Sequence, residues 1–541
     1  MTWQQIEQTK RLLDRERGAL IKDWGGRLPI ALVFPNTYHL GMSNLAIHNL
    51  YALWNARDDI VCERVFTDLT PPLSLESGSP LDYFPVVAFS IAFEMDYFNV
   101  VRLLRHARIP PLAQDRDESH PLLIAGGPAL SANPEPLAPL LDAVFIGEIE
   151  PGFGALTNAL LQLEQGRDSA LQALAQVPGI YLPHTSASDG APHPVQRQWT
   201  RRLDDHPTHS VIWTPDTEFA DVGLIEIARG CGRGCRFCLA GYTYRPPRYR
   251  SADRILAQAQ DLMNHSSRLG LVSAAVSDHP EIDRMATELR ALGARLSVSS
   301  MRVDPISESL LAALAESGAR TLTLAPEAGS ERLRAVINKT LTEADVLHAI
   351  ERAAHYDFEQ LKLYFMVGLP TETEQDIHEM IDLAQTCAER FRRQVTVNLT
   401  PFVPKAHTPF QRMAQTPSKV VKKRIAVVER QLARRGIGFK VESPVWTEIQ
   451  GMLARGDRRL SQALLGMDSV SPAAWREALR KENLSADEFL RERSPEEPLP
   501  WAFIQNGVRE THLSRELRRA EKEITSPPCP PTDCNACGVC G

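Results

Sequence analysis

Between residues 221 and 435, short apolar runs alternate with helical stretches six times. No other feature constrains the fold as strongly. The runs are GLIEIARG (223–230), LGLVSAA (269–275), RLSVSS (295–300), TLTLAPE (321–327), QLKLYFMVGLP (360–370) and QVTVNLTPFVP (394–404). Buried parallel strands read as short apolar runs, and each parallel pair needs a crossover, usually a helix. Six such units predict an open, partial (β/α)6 barrel rather than a closed eightfold one. In barrels of this kind the chemistry sits at the C-terminal ends of the strands.

A second alternation precedes it. LPIALVFP (28–35), VVAFSI (86–91), PLLIAGG (121–127) and DAVFIGE (142–148) read as strands, with helical patterns at 43–56, 95–107 and 151–166. The fold class is therefore α/β, with a doubly wound, Rossmann-like N-terminal domain. A chain of 541 residues is too long for one core. The expected organisation is an N-terminal domain over 1–200, a linker over 201–220, the barrel over 221–435 and a helical, charged region over 436–541. No run of 18 apolar residues occurs, and the first residues are charged, so neither a membrane span nor a secretory signal is expected. A cytoplasmic protein is the expectation. The net charge of −7 argues against a general nucleic-acid footprint, although the basic run KVVKKR (419–424) leaves nucleic acid open as a partner.

Seven of the nine cysteines fall in two tight groups, which in a reducing compartment means metal more often than disulfide. Cys231, Cys235 and Cys238 follow the first barrel strand directly, and the next cysteine is Cys387. A structural zinc site wants four ligands. Three thiolates on one loop suit a 4Fe–4S cluster, each holding one iron and leaving a fourth iron open. Zinc completed by a distant residue is the alternative. Cys529, Cys534, Cys537 and Cys540 are spaced x4, x2, x2, partly like plant-type iron–sulfur spacing and partly like zinc knuckles, so a second 4Fe–4S cluster or zinc is expected there. Separate cysteines should serve separate sites, so removing the tail should leave the first site intact. Cys62 and Cys387 read as small buried hydrophobes.

The C-x3-C-x2-C run, with Phe237 before its last cysteine, resembles the hallmark of the radical S-adenosylmethionine (radical SAM) superfamily. The resemblance implies an enzyme whose open iron is chelated by S-adenosylmethionine, which is split to a 5′-deoxyadenosyl radical. It also places cofactor contacts. Ser299, Ser300 and Arg302 end the third strand, where ribose and carboxylate contacts fall. Glu327 ends the fourth, and Gly368 would let the fifth approach the adenine. The family's Gly-Gly-Glu after the second strand is replaced here by VSAAVSDHPEI, leaving Ser273, Ser277 or backbone carbonyls for the amino group.

The N-terminal domain resembles the cobalamin-binding domain of the same branch, which implies cobalamin over Asn36, Ser43, Ser90, Gly126, Gly127 and Gly147. Glycines there would let a flat macrocycle approach the backbone. His39 has the wrong spacing for a cobalt ligand. More narrowly, FPNTYHLGMSNLAIHNLY, CERVFTD and the terminal CGVC resemble a bacterial group of radical SAM proteins with a cobalamin-binding-like domain. C-methylation or rearrangement of an unidentified substrate is implied, with a reductant protein such as flavodoxin or ferredoxin. Two other readings stand beside it. One is a methylthiotransferase acting on RNA or protein, although that family's N-terminal domain carries three cluster cysteines and this one has only Cys62. The other is a non-catalytic iron–sulfur sensor or scaffold. No residue is singled out as catalytic.

Overall fold

The computed structural model describes residues 3–185, 192–530 and 534–540. Its first sheet is built from β1 (Leu28–Val33), β2 (Ile60–Val65), β3 (Val86–Ser90), β4 (Leu122–Gly126), β5 (Ala143–Phe145) and β6 (Ile180–Tyr181). The spatial order is β2-β1-β3-β4-β5-β6, parallel except for β6. The order reverses between β1 and β3, which is where ligands of doubly wound sheets bind. The four expected strands are present, β6 is additional, and so is β2. Its sequence, IVCERV, hides a wholly buried strand behind two charges. Arg64 is fully buried between Glu16 at 2.6 Å and Glu76 at 2.7 Å, and Glu63 accepts from Trp24 Nε1 at 2.6 Å.

One face of this sheet packs Ile30, Leu32 and Cys62 against helices Leu45–Asn55 and Phe153–Leu161. The other packs Val33, Val87 and Phe89 against helix Tyr97–His106. It also packs against Met452, Trp475 and Trp501 from the far end of the chain. The C-terminal region is therefore no separate unit, because its helices cover a face of the first sheet. The same closure repeats in miniature, where β7 (Val195–Gln196) pairs in parallel with β17 (Ile504–Gln505). The expected linker is packed as well. His48 Nδ1 accepts from the Val211 and Ile212 amides at 3.2 and 3.4 Å.

The barrel begins with β8 (Gly223–Glu226) and a hairpin of β9 (Ala228–Arg229) with β10 (Arg248–Tyr249) that brackets the three-cysteine loop. It continues through β11 (Arg268–Val272), β12 (Arg295–Ser297), β13 (Thr321–Glu327), β14 (Gln360–Val367), β15 (Gln394–Pro401) and β16 (Gly438–Val441). Sheets β8-β11-β12 and β13-β14-β15-β16 are wholly parallel, and a bridge between Met301 and Leu324 links them. All six expected strands are present. The seventh, β16, lies past the expected end of the barrel at 435. It is a half-exposed edge strand, GFKV, whose mixed character gives no apolar run to read.

Trp475 is 1% exposed and meets Phe98 edge-on at 5.6 Å between centroids. Trp475→Ala should cost about 3–5 kcal/mol and lower the urea midpoint of the first domain. A wild-type midpoint would show that the C-terminal helices do not hold that face.

Candidate functional site

The three-cysteine loop leaves β9 through Gly230, whose φ is +76° and where a Cβ would lie 2.3 Å from the Tyr244 carbonyl oxygen. Only glycine fits both demands. Asn338 Nδ2 donates to the Arg233 and Gly234 carbonyls at 3.3 and 3.1 Å. The Arg236 amide donates to Ile337 O at 2.9 Å, and its fully buried guanidinium to Ala335 O and Val336 O, both at 2.9 Å. The loop is thus bolted to the helix after β13. Burial pushes the Cys238 thiol up to about 12 and raises Cys235, with Lys339 and Arg302 opposing at Cys235. Neutral thiols in such a place become ligands when a metal displaces their protons. Among the described residues no three His, Cys, Asp or Glu side chains converge as a single ion would require. Three thiols on one loop fit a cluster that gives each its own iron.

The expected cofactor contacts divide. Ser299 and Ser300 are exposed beyond β12. Arg302 pairs with Asp278 at 3.3 Å and donates to the Asp304 carbonyl, not to its carboxylate, at 3.2 Å. Arg233 holds the same Asp278 at 2.7 Å. Glu327 stands at φ +70° and meets Lys339 at 3.3 Å. Phe237 packs on the apolar cluster of Ala328, Leu333 and Phe402. Gly368 is buried at φ +82°, where a Cβ would come within 3.2 Å of Thr416 and Val421. Its amide donates to the Glu372 carboxylate at 3.0 Å. It turns the chain under a covering of side chains. The hydroxyl of Ser277 accepts from the Arg302 amide at 3.3 Å, whereas Ser273 opens onto a cavity.

That cavity, of 360 Å³, runs from the carboxyl end of the first sheet to the barrel. Leu32, Ala88, Ile124 and Phe145 wall it within the domain, with Leu50 and Trp54 of the facing helix. Ser90, Gly126, Gly127 and Gly147 line it, and Ala228, Gly230, Val272, Ser273 and Ala274 close it on the barrel side. Asn36 and Ser43 stand outside. Asn36 donates to Asp96 at 2.7 Å, and Ser43 donates to His39 O at 2.6 Å. The glycines correct the sequence reading too. At Gly127 and Gly147, both at φ +113°, a Cβ would strike the Ile91 oxygen at 2.3 Å and the Gln198 oxygen at 2.1 Å. Those two serve the protein's own backbone, and only Gly126 has ordinary room, 3.5 Å to its nearest neighbour.

Sequence reasoning missed the charges at the cavity rim. Arg229 reaches Glu150 at 2.6 Å, Glu226 at 2.8 Å and Glu148 at 3.0 Å. Arg248 holds Glu148 from the other side at 2.6 Å. Burial alone would raise Glu148 and Glu150, but the arginines override it and hold both below the usual glutamate range. The available signal was position, with ionisable residues at the ends of strands in two different sheets.

The tail is not independent of the first loop, contrary to expectation. The Cys529 amide donates to Gly232 O at 2.7 Å, and the Ser526 amide to Asn338 Oδ1 at 2.7 Å. Glu516 pairs with Arg236 at 3.2 Å. The chain end therefore builds part of the loop's wall.

A seven-stranded open barrel with a three-thiol loop at its first strand, joined through one cavity to a doubly wound domain, defines a cofactor-using α/β enzyme. Residues 46–183 match the family of radical SAM proteins, N-terminal, and residues 225–384 match the radical SAM superfamily. An uncharacterized protein of Methanocaldococcus jannaschii, MJ0966, is 32% identical over 85% of this chain and 95% of its own. The chain belongs to the radical SAM superfamily and is a radical SAM enzyme. A tRNA-2-methylthio-N(6)-dimethylallyladenosine synthase of Jannaschia sp. is 28% identical over 30% of this chain and 38% of its own. Among solved structures, the radical S-adenosylmethionine methyltransferase TsrM from Kitasatospora setae is similar with a TM-score of 0.47 at 14% identity. That alignment covers 71% of this chain and 74% of TsrM. The cobalamin-dependent radical enzyme OxsB gives 0.46 at 15%, covering 66% and 52%.

Arg229→Met should strand buried carboxylates and cost about 3–5 kcal/mol. Because Glu148 and Glu150 are depressed when folded, their contribution is complete above the ordinary glutamate pKa. It is lost as pH falls from about 4.3 toward the folded values. Acid unfolding should therefore be steep below that pH in the parent and flatter in Arg229→Met; parallel curves would contradict the network's role.

Proposed function

We propose that this enzyme binds a 4Fe–4S cluster at Cys231, Cys235 and Cys238, S-adenosylmethionine at the barrel mouth and cobalamin over the first sheet, and methylates a carbon of its substrate. The observation that carries the reading is the single cavity shared by the carboxyl ends of β3 and β4 and the ends of β9 and β11. Methyl transfer between two cofactors needs them in one enclosure with the reacting atoms close. When bound, these groups supply reductive cleavage of S-adenosylmethionine and a methyl carrier; the protein supplies place and dryness. The apolar walls of Leu32, Ala88 and Ile124 exclude water, and the Arg229 network fixes the rim against which the three-cysteine loop stands. Ser273 on the cavity, with its hydroxyl already accepting from the Ala275 amide at 3.1 Å, is the candidate for the amino-group contact.

A methylthiotransferase reading finds less support, since Cys62 is fully buried within β2 and pairs with no other cysteine of its domain. All nine cysteines are free thiols, which suits a reducing compartment such as the cytoplasm. Among the described residues no helix is long and apolar enough to cross a membrane.

Reconstituted anaerobically with S-adenosylmethionine and reductant, the protein should release 5′-deoxyadenosine, which a sensor or scaffold would not. Changing Cys231, Cys235 and Cys238 to alanine should remove about four irons per chain and abolish that release. Unchanged iron would refute the ligand assignment. Ala46→Trp, on the exposed rim of the cavity, should abolish cobalamin binding while leaving iron in place. His39→Ala should leave the cobalt spectrum unchanged, because His39 is exposed and outside the cavity. Full cobalamin retention in Ala46→Trp, or a spectral shift in His39→Ala, would overturn the placement.

A further inference from the structure

We propose that Lys362, inside the open barrel, binds a carboxylate of the substrate, so that this enzyme acts on a carboxylic acid held by its charged end. The inference rests on the proposed function and adds the class of molecule that is methylated.

Strand alternation puts Lys362 in the lumen. Leu361 and Leu363 of β14 belong to the apolar core under the helices, as do Leu322 and Leu324 of β13 and Val397 and Leu399 of β15. Successive side chains of a strand point to opposite faces, so Thr323, Lys362, Tyr364, Asn398 and Thr400 share the other face. In register, Lys362 stands between Thr323 and Thr396, and Tyr364 stands beside Asn398.

The bottom of the lumen is closed by its own contacts. The Thr321 hydroxyl donates to Gln360 Oε1 at 3.3 Å, and Gln360 Nε2 donates to Thr396 Oγ1 at 2.9 Å. On the other sheet, a Cβ on Gly270 would lie 2.7 Å from Leu224 and 3.2 Å from Val222, so apolar side chains fill the space there. Above this floor the polar side chains are unengaged. Those of Thr323, Lys362, Tyr364, Asn398 and Thr400 make no hydrogen bond or ion pair among the described residues. Asn398 Oδ1 is buried without a partner. A buried amide left unpaired costs stability, and a ligand that bonds to it removes that cost.

Charge selects the ligand. The carboxylates around the barrel mouth already have cations. Glu327 meets Lys339 at 3.3 Å, and Asp278 meets Arg233 and Arg302 at 2.7 and 3.3 Å. Glu226 meets Arg229 and Arg250 at 2.8 and 3.3 Å. Lys362 is half-buried and has no such partner. A cation drawn partly out of water calls for one counter-charge, which a single carboxylate supplies. A phosphate dianion would call for a second cation. Lys440, opposite Asn398 in register, is exposed on the edge strand, where water and salt screen it. A strand rises about 3.3 Å per residue, so Lys362 lies about 16 Å of strand below Val367 at the mouth. A carboxylate held there leaves the other end of the molecule pointing to the mouth, where the three-cysteine loop stands.

The test uses the full-length reconstituted protein saturated with S-adenosylmethionine, so that the carboxylate of that cofactor is already placed. The probes are butanoate, hexanoate and octanoate, with the primary amide and the alkyl phosphate of each length. Affinities are read by ligand-observed nuclear magnetic resonance. At least one carboxylate should bind about tenfold or more tightly than its amide and its phosphate. Lys362→Met should remove that difference, and Lys362→Arg should keep it. Thr323→Asp, which sets a carboxylate opposite Lys362 in register, should also remove it while amide binding stays. Equal affinity of carboxylates and amides in the parent would overturn the assignment. So would a preference for the phosphates, or a carboxylate preference that survives both Lys362→Met and Thr323→Asp. These measurements need no turnover. A parent that released no 5′-deoxyadenosine with dithionite would refute the proposed function by itself, whatever the probes show.

Discussion

One buried guanidinium ties the two halves of this molecule together. Arg229 closes the strand before the three-cysteine loop and binds Glu148 and Glu150 from the first sheet and Glu226 from the barrel. Charges this deeply buried add little net stability when complete and are costly when one member is missing. Their effect is on geometry, because a planar fork held by three carboxylates has one acceptable orientation. Arg248 repeats the device from β10 by holding Glu148 and the Thr200 carbonyl, at 2.6 Å each. The hairpin that carries the cysteines is thereby fixed to the carboxyl ends of the other sheet, and the cavity between them keeps its shape.

The end of the chain completes what the middle begins. Helices Pro444–Arg455 and Pro472–Lys481 cover the second face of the first sheet. Helix Glu510–Glu521 then places Glu516 against Arg236, in the middle of the cysteine loop. Arg236 and its partner are 280 residues apart in sequence, and Ser526 bonds both Glu516 and Asn338. A loop that must present thiols to a cofactor cannot satisfy its own backbone, so distant segments supply the donors and acceptors.

Much of this was legible in the sequence, and the parts that were not have common causes. VVAFS announces itself because burial on both faces demands continuous apolar side chains, and QLKLYFMV because its apolar residues alternate before running together. β2 did not, because its Glu63 and Arg64 find their partners outside the strand, Glu63 a hydrogen bond from Trp24 and Arg64 ion pairs with Glu16 and Glu76. The place of the three-cysteine loop at the first barrel strand was legible because the cysteines follow that strand directly in sequence. The rim charges were not, since Glu148 and Arg229 meet only once two sheets have docked. Gly127 and Gly147 were read for the wrong neighbour. Positive φ and a close contact mark both, but the contact is the chain's own backbone.

The barrel's open side sets a second chemical environment against the first. Along β13 the side chains alternate between buried and half-exposed, with Thr321, Thr323, Ala325 and Glu327 on the open face. β14 begins the same way, with Gln360, Lys362 and Tyr364 uncovered, Tyr364 by 39%. A closed eight-stranded barrel fills its interior with branched apolar side chains, whereas seven strands leave this polar lumen open. The apolar cavity of the first domain and the polar lumen meet at the end of β11, where Val272 is 37% exposed and Ser273 follows. On the proposed function, the corrin macrocycle belongs to the first environment and a polar substrate to the second. A methyl group can then cross only at that boundary, beside the three-cysteine loop. On the first-domain side the cavity is walled by Leu32, Ala88 and Ile124 with Phe145, Leu50 and Trp54, and on the barrel side Ala228, Val272 and Ala274 close it. A polar group in place of Leu32 or Ile124 should therefore wet the cavity and cost stability together, because both walls also belong to the core of the first sheet.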